Sequence, residues 1–182
     1  APDIPNNWAS LEPFTVSSPE NILNAPRPAP VSLRHVFGHM VPDLVFGALA
    51  QALPGRILAE GSGALWNIHM SVSPAAGQHG RRAEILMFNS GGMGARPQQD
   101  GLNATAFPSG VMTMPIEATE HTGPVVIWRK ELRPDSAGDG QYRGGLGQII
   151  EIAPAEGYEF EFSAMFDRIQ NAPRGRDGGQ DG

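Results

Sequence analysis

The sequence predicts an α+β fold, strand-rich and mixed, with one long helix near residues 42–53 and many glycine- and proline-rich loops. Three observations lead there. Apolar residues recur at helical spacing in one place only, short apolar runs bounded by turn residues recur through the rest, and the 23 glycines and 17 prolines exceed a fifth of the 182 residues without forming a repeat.

The elements follow in order. Pro2, Pro5, Pro13, Pro19, Pro26, Pro28 and Pro30 exclude a helix interior from the first thirty residues, which read as an extended leader over residues 1–30. Leu44, Val45, Ala48, Leu49, Ala52 and Leu53 then share a helical face, and Pro54-Gly55 stops the run, so the helix is expected to start near Pro42. Strands are expected at Ile57 to Ala59, Ala64 to Val72, Ala83 to Asn89, Val125 to Leu132, Gln148 to Ala153 and Tyr158 to Phe166. In the last, Tyr158, Phe160, Phe162, Ala164 and Phe166 alternate with mostly polar residues, the pattern of a half-buried strand. The globular part spans residues 31–170 and residues 171–182 read as a flexible glycine-aspartate tail. The whole reads as a single segment of a longer polypeptide, because it opens without methionine and closes without a terminating element.

Composition excludes several functions. A formal charge of -6 with Lys130 the sole lysine does not supply the clustered cations that phosphate backbones need, so nucleic acid is not an expected partner. The absence of cysteine removes disulfides, thiolate nucleophiles and cysteine-based metal sites. No apolar run reaches membrane-spanning length and no export signal is seen, so a cytoplasmic location is expected.

Chemistry concentrates in two glycine-rich loops, FNSGGMGARPQQDGLN from Phe88 to Asn103 and DSAGDGQYRGGLGQ from Asp135 to Gln148. Glycines 91, 92 and 94 followed by Arg96 and Asp100 suggest a backbone shaped around something with charges nearby. Arg96, Asp100, Asp135, Asp139 and Arg143 could grip a carboxylate, phosphate or polarised carbonyl, or could brace the loops with no ligand. Glu117 and Glu120, beside His121, could serve as an acid-base pair or occupy a solvated turn. His35, His39 and Asp43 stand four apart in turn, which on a continuous helix is ligand-like order. Gly38 and Pro42 argue against that continuity and favour capping and packing roles. His69 and His79 are isolated. Neither loop is GxxxxGK[ST] or GxGxxG, so the chain is not expected to bind ATP itself, and GxSxG and HExxH are also absent. The sequon at Asn103-Ala104-Thr105 carries no meaning without export.

The ordered set DIPNN, ENILNAPRPAPV, VPDLVFGALAQALPGR with AEG, GGMGARPQQDGLNATAFPSGV, PIEATE and DSAGDGQYRGGLGQ resembles the hydantoinase B/oxoprolinase family over nearly the whole chain. The resemblance implies a B-type (beta) subunit working with a hydantoinase A-type subunit or domain. That partner binds ATP with Mg and phosphorylates the carbonyl oxygen of a cyclic amide such as a hydantoin, 5-oxoproline or a lactam, and the B-type part completes ring opening by water. In a related branch a ketone such as acetone or acetophenone is carboxylated. The family's divalent metal is implied to sit in motifs of the GTHxPD kind and a His-rich stretch before DIGG, which do not occur in these 182 residues. It is therefore expected on a preceding N-terminal portion rather than on His35, His39 or Asp43. From the matching loops, Arg96, Asp100, Glu117, Glu120 and Arg143 are expected to line or brace the site. Two readings follow: part of a catalytic subunit of an ATP-dependent amidohydrolase or carboxylase, inactive alone, or a structural segment that builds an interface between subunits.

Overall fold

The computed structural model describes residues 4–32, 34–63 and 65–182; Pro2 of the leader and Ala64 of the expected strand lie outside them. The chain divides into two units, Ala1–Arg34 and His35–Gly182.

In the first unit, one short helix, α1 (Trp8–Leu11), interrupts extended chain. Asn7 caps it, its side-chain oxygen accepting from the Ser10 amide at 3.2 Å. Further on, Asn21 accepts from the amides of Leu23 and Asn24, a local side-chain turn.

The second unit begins with α2 (His35–Ala52). The helix starts a full two turns earlier than the sequence suggests and runs through Pro42, at the cost of one backbone hydrogen bond. His39 and Asp43 are its buried residues, whereas Leu44, Val45 and Leu49 of the expected apolar face are exposed. The local stop signals at Gly38 and Pro42 do not end the helix, whose buried residues are His39 and Asp43.

Strands β1 (Leu65–Pro74), β2 (Ala83–Ser90) and β5 (Tyr158–Met165) form an antiparallel sheet in the order β2-β1-β5. Strands β3 (Val125–Leu132) and β4 (Gln148–Pro154) form a second antiparallel sheet, with a bulge between Ile127 and Arg129 that turns Trp128 outward. The two sheets share one core: Ile68, Met70 and Val72 from β1, Ile85 and Met87 from β2, and Val125 and Ile127 from β3. Period-2 alternation sends these side chains inward, while His69 and Ser71 point out to Glu84, at 2.9 and 2.8 Å. On β5, Tyr158 and Phe160 pack against the core, but Phe162 is half exposed because β5 is an edge strand.

Five of the expected strands are present among the described residues. Ile57 to Ala59 is not one of them; it runs instead beside the first glycine loop, with the Ala59 amide donating to the Ala95 carbonyl at 2.8 Å. The solvated turn expected at Glu117 and Glu120 is a helix, α3 (Ile116–Thr122), held by the buried Thr119, whose hydroxyl donates to the Pro115 carbonyl. None of the described helices is long and apolar enough to cross a membrane.

Met70 is fully buried in the cluster that both sheets share. Met70→Ala is expected to lower unfolding free energy by about 2–5 kcal/mol in urea denaturation with an unchanged m-value.

Candidate functional site

The two glycine loops interlock through their backbones. Met93 donates to Leu102 and Gly145 donates to Met93, while Gly101 donates to Arg143 and Ala104 to Leu146, all at 2.8–2.9 Å. Asn103 adds a side-chain link, accepting from the Leu146 amide at 2.8 Å. The approach is so close that a Cβ placed on Gly92 would stand 1.7 Å from the Gly145 carbonyl oxygen, and one on Gly145 would stand 2.0 Å from that of Leu102. Only glycine allows it.

Arg96, Asp100 and Arg143 are brought together on this frame. Arg96 donates two hydrogen bonds to the Asp100 carbonyl at 2.9 and 2.8 Å. The Asp100 carboxylate accepts from the Arg143 amide at 3.0 Å and lies 3.6 Å from its guanidinium. Arg96 braces its own loop and contributes to a cavity wall, while the Asp100–Arg143 contacts brace loop to loop. Glu117 and Glu120 are elsewhere, on α3 and outside that wall: Glu117 is exposed, and Glu120 accepts from the Ile127 amide at 2.8 Å, tying α3 to β3.

The cavity has a volume of about 520 Å³, within the range of small-molecule sites. The glycine loops form one side, Trp66 and Asn89 belong to the sheet side, and residues 173–180 of the C-terminal segment lie across it. This segment is tied to the second glycine loop by Gln180, which donates to the Asp139 carbonyl at 2.8 Å, and folds on itself through Gly175, which donates to the Asp181 carboxylate at 2.7 Å.

Its main anchor is Glu60, whose side chain is only 9% exposed. One carboxylate oxygen accepts from Arg174 Nε and Nη2 at 2.8 and 2.5 Å; the other accepts from Arg168 Nη2 at 2.8 Å and the Arg174 amide at 3.1 Å. Burial would raise the Glu60 pKa, but these donors hold it down to about 2. Asp43 and Arg168 both crowd the open side of Gly63, and burial pushes the Asp43 pKa up to about 6 against the opposing pull of Arg168. Burial also lowers the pKa of His39.

His35, His39 and Asp43 do share a helix face, yet they do not converge. His35 Nε2 meets the Asn67 amide nitrogen at 3.3 Å, His39 Nδ1 is buried without a partner, and Asp43 faces the arginine cluster. Among the described residues no group of three or more His, Cys, Asp or Glu is placed to hold a metal ion. Sequence reasoning does not find Glu60, Asn89, Asp167, Arg168, Arg174 or Arg176; the one available signal is the arginine spacing in RGRDGG, which reads as a tail.

The family model for hydantoinase B/oxoprolinase matches residues 1–182. The chain belongs to that family. It is 33% identical to the B-type subunit of a "Putative D-/L-hydantoinase" of Pseudomonas sp. (strain NS671), over 99% of this chain and 30% of that protein. It is also 33% identical to the beta subunit of the caprolactamase of Pseudomonas jessenii, over 73% of this chain and 24% of that one. Over 59% of this chain and 17% of the other, it is 33% identical to the acetophenone carboxylase delta subunit of Aromatoleum aromaticum (strain DSM 19018 / LMG 30748 / EbN1). The chain thus spans under a third of the length of the hydantoinase polypeptide it matches.

Two outcomes check this geometry. Gly92→Ala is expected to break the loop-to-loop contact, seen as loss of amide protection at Gly145 and a lowered Tm, since the added methyl meets backbone rather than a side chain that could swing away. The second is pH dependence. Asp43 binds its proton more tightly folded than unfolded, so the stability it contributes falls as pH rises from about 4 to about 6; Glu60 has the opposite sign and loses its contribution as pH falls from about 4.5 to about 2. Urea midpoints should therefore show Asp43→Asn gaining on the wild type as pH rises through the first window, and Glu60→Gln losing its disadvantage in the second.

Proposed function

We propose that this chain is part of the B-type subunit of an ATP-dependent cyclic-amide hydrolase, opening a hydantoin, 5-oxoproline or lactam ring after an A-type partner phosphorylates the carbonyl oxygen. The observation that carries the reading is the family match over the whole chain, with hydantoinase and caprolactamase subunits among the relatives. ATP, its Mg ion and the first step belong in this reading to the A-type partner, and the assembly works in the cytoplasm. The family's divalent metal is assigned outside these residues, which carry neither the GTHxPD-type motif nor the His-rich stretch.

The physical case is one of division of labour. An amide carbonyl is a poor electrophile until its oxygen carries a leaving group, and the charge that develops as water adds must then be stabilised by fixed donors in a site poor in water. This chain supplies a cavity of about 520 Å³ whose wall includes the glycine loops and several arginines. The Asp100–Arg143 pair keeps the loops from moving apart, and Arg96 stiffens its own loop. A second reading, the B-type subunit of an ATP-dependent ketone carboxylase, is favoured by the likeness to the acetophenone carboxylase subunit. A third, an interface segment with the chemistry elsewhere, is favoured by the bracing geometry of Arg96, Asp100 and Arg143.

The test is ATP hydrolysis by the full-length protein assembled with its A-type partner, offered hydantoin, 5-oxoproline, caprolactam or acetophenone. Stimulation by a cyclic amide coupled to ring opening is expected. Stimulation by acetophenone with bicarbonate consumption would support the carboxylase reading, and no stimulation by any of the four in an assembled complex would sink both. Arg96→Ala is expected to lower turnover with assembly intact; lost assembly instead would support the interface reading.

A further inference from the structure

The α2 helix packs by its polar side. Its buried residues are His39 and Asp43, whereas Phe37, Val41, Leu44, Val45, Ala48 and Leu49 are exposed, Leu44 to 63% and Val45 to 49%. At 3.6 residues per turn these six fall within one arc of about 140°, centred opposite His39 and Asp43, so they face away from the side by which α2 packs. That other side is apolar as well, with Phe46 stacked on Phe107 at a centroid distance of 6.3 Å and Met40 partly buried. The helix carries no lysine, arginine or glutamate, and its one aspartate is buried. A helix apolar all round belongs in an interior, and α2 is not long and apolar enough to cross a membrane.

The exposed apolar surface continues onto the sheet. His35 Nε2 lies 3.3 Å from the Asn67 amide nitrogen, and Asn67 is flanked across the strands by Phe88 and Met165. Cross-strand partners share a face, so Phe88, Met165 and, one row on, Leu86 stand on the side of the sheet that α2 meets. All three are exposed.

We propose that the outward face of α2, with Phe88, Met165 and Leu86, is the docking surface for the part of the full-length polypeptide that lies outside residues 1–182. Two arguments select that occupant. Residues 1–182 match only 30% of the hydantoinase relative, so most of a polypeptide of that length lies outside them and has to pack against something. A second copy fits less well: α2 is about 27 Å long, and one helix face from each copy falls short of the roughly 1,600 Å² that stable association of two folded proteins buries. A segment of the same polypeptide needs less area, because its tether holds it at high effective concentration. The helix presents no charged group outward, so the segment that covers it is apolar too, with no lysine or carboxylate aimed at α2. Asp43 and Arg168 meet at Gly63 on the opposite side of the helix, so the docked portion lies one helix diameter, about 10 Å, from the arginine cluster of the cavity. In this arrangement α2 is the spacer that sets the rest of the polypeptide in position relative to the cavity, whatever reaction the protein catalyses.

The test is photo-cross-linking of the full-length protein, grown with photo-leucine and assembled with its A-type partner, with the products mapped by mass spectrometry. Leu44 and Leu49 should cross-link to peptides outside residues 1–182, in a product that runs at the mass of one polypeptide. Cross-links from these two leucines to residues 1–34, to a second copy or to the A-type partner would overturn the proposal, as would none at all. Cysteine labelling gives an independent readout. In the native full-length protein Leu44→Cys and Val45→Cys should react with a maleimide at least about 10-fold more slowly than after unfolding in urea. Labelling at the unfolded rate would mean an open face and would also overturn the proposal. The cross-linking uses the wild-type sequence, so it decides the question even if a variant does not fold. Turnover of a cyclic amide by a protein whose α2 face labels freely would reject this surface and retain the activity; a protected face without turnover would do the reverse.

Discussion

The close approach of two backbones is the constraint on which everything else depends. Gly92 and Gly145 sit where any side chain would collide with a carbonyl, and the hydrogen bonds that link Met93, Gly101, Leu102 and Gly145 form only at that distance. Glycine loses more conformational entropy on folding than any other residue, so a wall made of it is stable only when many backbone bonds close together. Arg96, Asp100 and Arg143 add charged ties at the rim of the contact. A preformed surface of mutually bonded peptide groups results.

The second determinant is electrostatic. Glu60 gathers Arg168 and Arg174, and through them secures the C-terminal segment across the cavity. A nearly buried carboxylate is tolerated only because two guanidinium groups and an amide saturate it. Asp43, without such a partner set, is pushed toward its neutral form by the same burial. Opposite shifts on two neighbouring carboxylates leave Glu60 as the charged anchor of the arginine cluster through the mildly acidic range in which Asp43 takes up its proton.

How much of this is legible in the sequence depends on range. The β3 strand has the boundaries expected for it, because it opens on the β-branched Val125, Val126 and Ile127 just after Pro124 and ends before a turn, and both signals are local. The α+β class follows from such runs. The start of α2 is hidden because Pro42 and Gly38 are local stop signals, whereas the burial of His39 and Asp43 on its inner face is tertiary. The α3 helix gives no signal, being seven residues long with no side-chain cap. At the site, Arg96, Asp100 and Arg143 are visible as charges inside glycine loops. Glu60 is not, since its partners Arg168 and Arg174 lie 108 and 114 residues away, and no periodicity links residues across that distance.

If the two glycine loops form one rigid wall rather than two independent surface loops, native-state hydrogen exchange will show it directly. The amides of Met93, Gly101 and Gly145 should exchange slowly and with one shared opening free energy, because their bonds close as a unit. Exchange of these amides at rates typical of unprotected loops, or with unrelated opening energies, would contradict a single wall.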